Sequence, residues 1–370
     1  MQSKTISHGR FLETKIFPSL DGLRALSIIA VVWHHTHGEI VGWPITGRGF
    51  LGVDLFFEIS GFLIVTLLLR ERRRTGTINL RNFYVRRFLR IFPPYYAMLF
   101  VIGAVALIGK GKTSAATLHE WPFALLYVSN LVPMESLLSI TWSLSTEEQF
   151  YLVVPAIQKR AKHWMLYGLP FVYILVVLPT FGLFPNVNMP PFFRQTTFGP
   201  ILLGVLLAHL FDHPRSFGWI ARALSPRWVP FVASAATLFL LNIDFPDISG
   251  WPRVAVHFAM LALLASWVLQ EGGLALRLLS VWPLRRIGAV SYGIYLFHHF
   301  GRHFADKGLH ALGLFSLFAL FLLTLVGTWG LAEVSYRYFE VRFLALKERF
   351  SGSRDPLPNR PESPAPLRGD

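Results

Sequence analysis

The sequence predicts an all-α polytopic membrane protein, a bundle of about ten transmembrane helices with both termini in the cytoplasm. Three observations predict it. Hydrophobic residues fill 53% of the 370 positions and charged residues only 15%, against about 25% in a soluble domain, and mean hydropathy is positive at +0.46. Long apolar runs recur from end to end, many approaching the ~20 residues that cross a bilayer. Lys and Arg are divided unequally between alternate loops.

The runs place spans near 21–37, 50–69, 91–109, 142–157, 164–181, 197–211, 229–243, 254–270, 288–301 and 312–333. Assigning the loops alternately puts 27 Lys/Arg on the N-terminal side and 7 on the other, with Arg24 left inside the first span. That bias reads as a cytoplasmic N-terminal side of a multi-pass membrane protein. It also explains the net charge of +14 as a topology signal, so nucleic acid is not an expected partner; membrane lipids are. Cysteine is absent, which excludes disulfides, thiolate catalysis and Cys-based metal sites. Residues 1–350 form one integral domain. Residues 351–370, SGSRDPLPNRPESPAPLRGD, read as a disordered Pro-rich cytoplasmic tail.

Span one, SLDGLRALSIIAVVWHHTHG, is expected to remain in place: it has no A-x-A site and carries bulky Trp33 and two histidines where small residues would stand. Arg24 and His35 are eleven residues apart, three helical turns plus about 20°, so they face one way about 16 Å apart along the axis. Ionisable groups cost roughly 2.5–3.5 kcal/mol each on membrane insertion scales and are seldom idle there. The plainer reading pairs Asp21 with Arg24 at the inner interface and lets His35 reach outward. A metal site on His34, His35 and His37 is disfavoured, because no carboxylate stands at a matching spacing.

Span two, GVDLFFEISGFLIVTLLL, sets Asp54, Glu58 and Gly61 on one stripe. Asp54 is either a helix cap or a catalytic group. Glu58 lies deeper and is expected to meet Arg24 or a histidine. The stretch that follows, RERRRTGTINLRNFYVRRFLRIFPPYY, holds eight arginines from Arg70 to Arg90. Arg72 to Arg74 are explained by anchoring and anionic lipid. Arg86, Arg87 and Arg90 share a face, and guanidinium forks suit either lipid or the phosphates of a polyphosphorylated ligand. Segment 110–141 contains WPFALLYVSNLVP, too short to span and expected to be re-entrant or interfacial.

Span four opens SITWSLSTEEQFYLVVP, with Ser143, Glu147 and Tyr151 as a polar strip after Trp142. A capping box of Ser145 and Glu148 accounts for Glu148 and leaves Glu147 free. Glu147 and His35 fall in the same bilayer half, a spacing that suits a base and its orienting acid. Span nine, SYGIYLFHHF, adds His298, which could line the same cavity, and His299, for which a structural hydrogen bond is the plainer account.

The strings DGLRALSIIAVVWHH, GVDLFFEISGFLI, RRFLRIFPPYY, TWSLSTEEQFYL, SYGIYLFHH and SYRYFE, in that order, resemble the bacterial integral-membrane acyltransferase family usually called acyltransferase family three. The resemblance covers most of residues 18–343. It implies an O-acyltransferase that moves acetyl or another short acyl group from acyl-CoA to surface-polysaccharide sugars or to antibiotics. Acyl-CoA would then be a co-substrate, with no permanently bound cofactor and no metal. By the same resemblance His35 is the essential histidine, acting as general base or as an acyl-histidine relay. Arg24 belongs to its motif, Arg87 and Arg90 are the paired arginines, and Glu147 is the membrane glutamate. Two positions depart from the family: Glu58 stands where an aliphatic residue is expected, and Val341 follows Glu340 where a proline is often nearby. The expected site is therefore His35, Glu147 and Asp54 for catalysis. Arg24, Arg86, Arg87, Arg90, Glu58, Trp142, Tyr151 and His298 are expected to hold acyl-CoA and a glycan or lipid-linked sugar acceptor. A transporter or flippase for a lipid-linked glycan is the alternative, with the charged track as its path.

Overall fold

A computed structural model describes residues 6–350 except 15–16, 38–39, 41, 161–163, 179–197, 246–247, 249, 271–272, 315 and 348–349. Among the described residues there is no β-strand, only an isolated bridge between Ile40 and Trp43. The expected all-α class therefore holds. The tail, 351–370, lies outside the described residues.

The helices that build the bundle are α1 (Pro18–His37), α2 (Gly52–Thr75), α3 (Leu80–Ile108), α4 (Lys112–Leu125), α5 (Thr141–Arg160), α6 (Trp164–Val177), α7 (Gly199–Asp212), α8 (Pro214–Leu224), α9 (Val229–Asn242), α10 (Trp251–Val268), α11 (Trp282–Ala289), α12 (Ser291–Ala311) and α13 (Leu317–Ser335). Four helical stretches are long and apolar enough to cross a membrane: Gly49–Thr75, Leu80–Ile108, Trp251–Val268 and Leu317–Leu346. A fifth results if α8 and α9, bent by 79°, count as one. Helices α1 and α5 carry polar residues of the site and fall below that measure. The chain is thus a membrane protein, and two of its apolar helices, α2 and α3, border the site together with α1 and α5.

Several boundaries move. The span expected at 288–301 is a 21-residue helix, α12, that runs on to Ala311. The last span continues past Ser335 through a π-helical turn, Tyr336–Glu340, into Val341–Lys347. Between α2 and α3 the chain barely loops. Gly76 ends α2 at φ +76°, and the Asn79 side chain accepts from the Asn82 N–H to start α3. The eight arginines therefore sit on two helix ends, with Arg87 and Arg90 already inside α3. Among its described residues, segment 110–141 holds no helix long and apolar enough to cross a membrane. It holds α4 and a turn in which Tyr127 has φ +55°, and the Glu120 carboxylate accepts from the backbone N–H groups of Glu135 and Ser136.

Helix α1 runs through the core, with Ala25, Ile28, Val31 and Val32 wholly enclosed. Helices α2 and α7 touch backbone to backbone at Gly61 and Gly204. A Cβ on Gly61 would run into the Ile201 carbonyl, and one on Gly204 into the Glu58 carbonyl. Small residues let helices in lipid approach closely and gain packing where no hydrophobic drive operates. That contact fixes the α2 face that meets α5 and α1.

Candidate active site

Helices α1, α2, α3, α5 and α12 surround a half-open cavity of about 820 Å³, counted out to its mouth. Arg24 of α1 and Arg87 and Arg90 of α3 supply three guanidinium groups to its wall, against one carboxylate, Glu147 of α5. Arg24 also meets Asp21 at 3.7 Å, the i,i+3 pair expected from the sequence. Arg87 lies over the Tyr151 ring, 5.1 Å from its centroid. The strip on α5 forms as its spacing predicted: Ser143, Glu147 and Tyr151 all line the cavity. The Glu147 carboxylate accepts from the hydroxyls of Tyr151 and Ser60. Two hydroxyl donors and neighbouring guanidinium groups offset the cost of burying that charge.

At the far end of α1 lies a second cluster. His35, His298 and His299 each offer a ring nitrogen, all within 4.8 Å of one another. His298 Nδ1 is 2.6 Å from the Tyr295 carbonyl, and a carbonyl only accepts, so Nδ1 carries the proton. In neutral His298, Nε2 is then an acceptor. His35 Nδ1 stands 3.2 Å from that Nε2 and 3.0 Å from the Val31 carbonyl. Two acceptors face one nitrogen, so the proton of His35 sits on Nδ1 and the lone pair on Nε2. The tautomer follows from the hydrogen-bond pattern.

Tyr295 joins the two clusters. Its hydroxyl bonds Ser143 at 2.6 Å at the cavity wall, while its carbonyl, one turn before His298 on α12, holds His298. One helix thus ties the arginine-lined cavity to the histidines.

The other expected residues lie elsewhere. Asp54 was expected to orient His35. Instead its carboxylate accepts from Arg253 Nε and NH2 at 2.9 Å each and faces His257 Nε2 at 2.9 Å, all deeply buried on α2 and α10. Glu147 does not touch His35 either; among the described residues that place is taken by His298 and Val31. Glu58 was expected to meet Arg24 or a histidine. Both of its oxygens are buried without a hydrogen-bond partner among the described residues. Arg86 turns from the cavity to Glu71 at 3.4 Å and to the Phe350 carbonyl. Trp142 packs edge-on against Phe57. The expected capping box fails: α5 starts at Thr141, so Ser145 is inside the helix and bonds Ser129.

Sequence reasoning missed Arg253 and His257, counting Arg253 as a loop charge. Their i,i+4 spacing in WPRVAVHF was the available signal. Ser60 and Tyr295 carried no signal beyond being polar in apolar runs.

Residues 17–333 match the model of a family described as an acyltransferase domain. The chain is 28% identical to "Putative O-acetyltransferase SACOL0978" of Staphylococcus aureus (strain COL), over 92% of this chain and 59% of that protein. It is 27% identical to "O-acetyltransferase OatA" of Staphylococcus aureus (strain NCTC 8325 / PS 47), over 88% of this chain and 57% of that protein. The chain thus spans less than three-fifths of the length of these relatives. No solved structure matches it. With most of its length inside the family's bounds, and the motif residues gathered round one cavity and one histidine cluster, the chain belongs to acyltransferase family three.

Proposed function

We propose that the protein is a ten-span inner-membrane O-acyltransferase that moves an acetyl group from acetyl-CoA to a hydroxyl of a surface-polysaccharide or glycolipid acceptor. The observation that carries this reading is the connection of a three-arginine cavity, through Tyr295, to a histidine with a defined free lone pair. The loop charges favour a cytoplasmic mouth, so donor enters from inside and acceptor from outside.

The CoA phosphates pair with Arg87 and Arg90, and Arg24 guides the pantetheine arm inward. His35 Nε2 takes the proton of the acceptor hydroxyl. The oxygen attacks the thioester carbonyl, the C–S bond breaks, and the proton passes from Nε2 to the departing CoA sulfur. His298 keeps the His35 proton on Nδ1, a positioning role in which it replaces the carboxylate expected from the sequence. The S. aureus relatives' printed names agree with acetyl as the group and oxygen as the acceptor atom.

The test replaces His35 with Ala and measures acetylation of cell-surface glycan at matched protein levels. Loss of acetylation supports the assignment; normal acetylation removes His35 from the chemistry. Ping-pong kinetics with a trapped acyl adduct on His35 would replace direct transfer by an acyl-histidine relay.

A further inference from the structure

Three imidazoles converge from two helices with no carboxylate among them: His35 from α1, and His298 and His299 from α12. Their ring centroids stand 4.5, 4.7 and 4.9 Å apart. The base reading uses His35 and His298 and leaves His299 without a task. Yet His299 Nε2 is buried and has no hydrogen-bond partner among the described residues. An orphaned ring nitrogen inside a bundle is costly unless something binds it.

We propose that His35, His298 and His299 form a binding site for a zinc-class divalent cation, whose occupancy withdraws His35 from proton transfer. The donor set selects the metal class: neutral imidazole suits Zn²⁺ and Co²⁺, whereas Mg²⁺ and Ca²⁺ require oxygen ligands. At Zn–N distances of about 2.0–2.1 Å, tetrahedral ligands lie roughly 3.4 Å apart. The ligand atoms, within 4.8 Å of one another, would close by at most about 1.4 Å, within reach of side-chain rotation. The ion would displace the His35 Nδ1–H bond from His298 Nε2, while Nδ1–H of His298 and of His35 keep the carbonyls of Tyr295 and Val31 as outer contacts. Three protein ligands leave the fourth position open. Binding of the ion stands by itself; its inhibitory effect rests on the reading of His35 as the base.

Full-length protein in detergent, stripped with a chelator, is titrated with Co²⁺ and read by visible absorption, with Zn²⁺ as competitor. One Co²⁺ per chain with tetrahedral bands is expected. His299→Ala is expected to weaken affinity at least about 100-fold, because loss of even an outer-shell partner costs 10- to 100-fold. The same variant should retain thioester turnover and lose its inhibition by Zn²⁺. Should Ala lower the melting temperature, His299→Gln keeps the volume and answers the same question. No stoichiometric tetrahedral Co²⁺, or equal binding by the variant, overturns the site. Binding without inhibition of turnover overturns the inhibitory effect, and with it the role of His35 as base, while leaving the site intact.

Discussion

Replacing His298 tests the tautomer argument most directly. The ring of His298 gives His35 Nδ1–H one of its two acceptors, at 3.2 Å, the other being the Val31 carbonyl at 3.0 Å. A neutral hydrogen bond of this kind contributes about 0.5–1.5 kcal/mol net. Losing it does not free the ring, because Val31 remains, but it reduces the preference for the proton on Nδ1 and loosens ring orientation. Removing an orienting partner of a functional histidine costs about 10- to 100-fold by analogy with metal-bound histidines, or about 1.4–2.7 kcal/mol in the barrier. His298→Leu should therefore lower kcat by about 10- to 100-fold. KM for acetyl-CoA should stay unchanged, because the arginines line a cavity to which His298 does not contribute. His298→Gln, whose amide oxygen accepts, should recover much of the loss. The assay is release of free CoA thiol from acetyl-CoA by purified protein, read with a thiol reagent, and the chain contributes no cysteine background. Full turnover by His298→Leu, or a fall carried by KM, would refute the positioning role.

Three further outcomes are expected. Arg87→Ala and Arg90→Ala should each weaken acetyl-CoA binding, about 10-fold for 1.4 kcal/mol of lost charge-assisted bonding, measured by calorimetry in detergent; unchanged affinity would return them to topology anchors. Asp54→Asn should destabilise the bundle by about 3–5 kcal/mol by stranding Arg253, read as a lowered thermal transition. The double variant Asp54→Leu with Arg253→Met should recover stability, and no recovery would argue against a purely structural pair. Gly204→Leu should fail to fold, since even a Cβ there collides with the Glu58 carbonyl; a folded, monodisperse protein would show that the α2–α7 contact yields easily.

Much of the site was legible along single helices. Ser143, Glu147 and Tyr151 do form one strip, Asp21 and Arg24 do pair, and Arg87 and Arg90 do share a wall, because helical spacing alone dictates which side chains point together. What failed were the assignments between helices. Glu147 and Asp54 were expected at His35, yet one bonds Ser60 and Tyr151 and the other Arg253 and His257. Sequence spacing carries no information about rotation of one helix against the next. Rotation is decided by where small residues let backbones meet, as at Gly61 and Gly204, and by which buried charges find partners.

The sequence by itself determined the membrane class, the helical content and the basic face of α3, since hydropathy and periodicity are local properties. The family resemblance rested there too, on short strings read in order. Only the tertiary structure decided what His35 touches. Its partner is His298, 263 positions away, and His299 stands beside them. No periodicity links residues so far apart; a hydrogen bond between two rings exists only once packing has set α1 and α12 side by side. With it came the proton on Nδ1 of His35 and the lone pair on its Nε2.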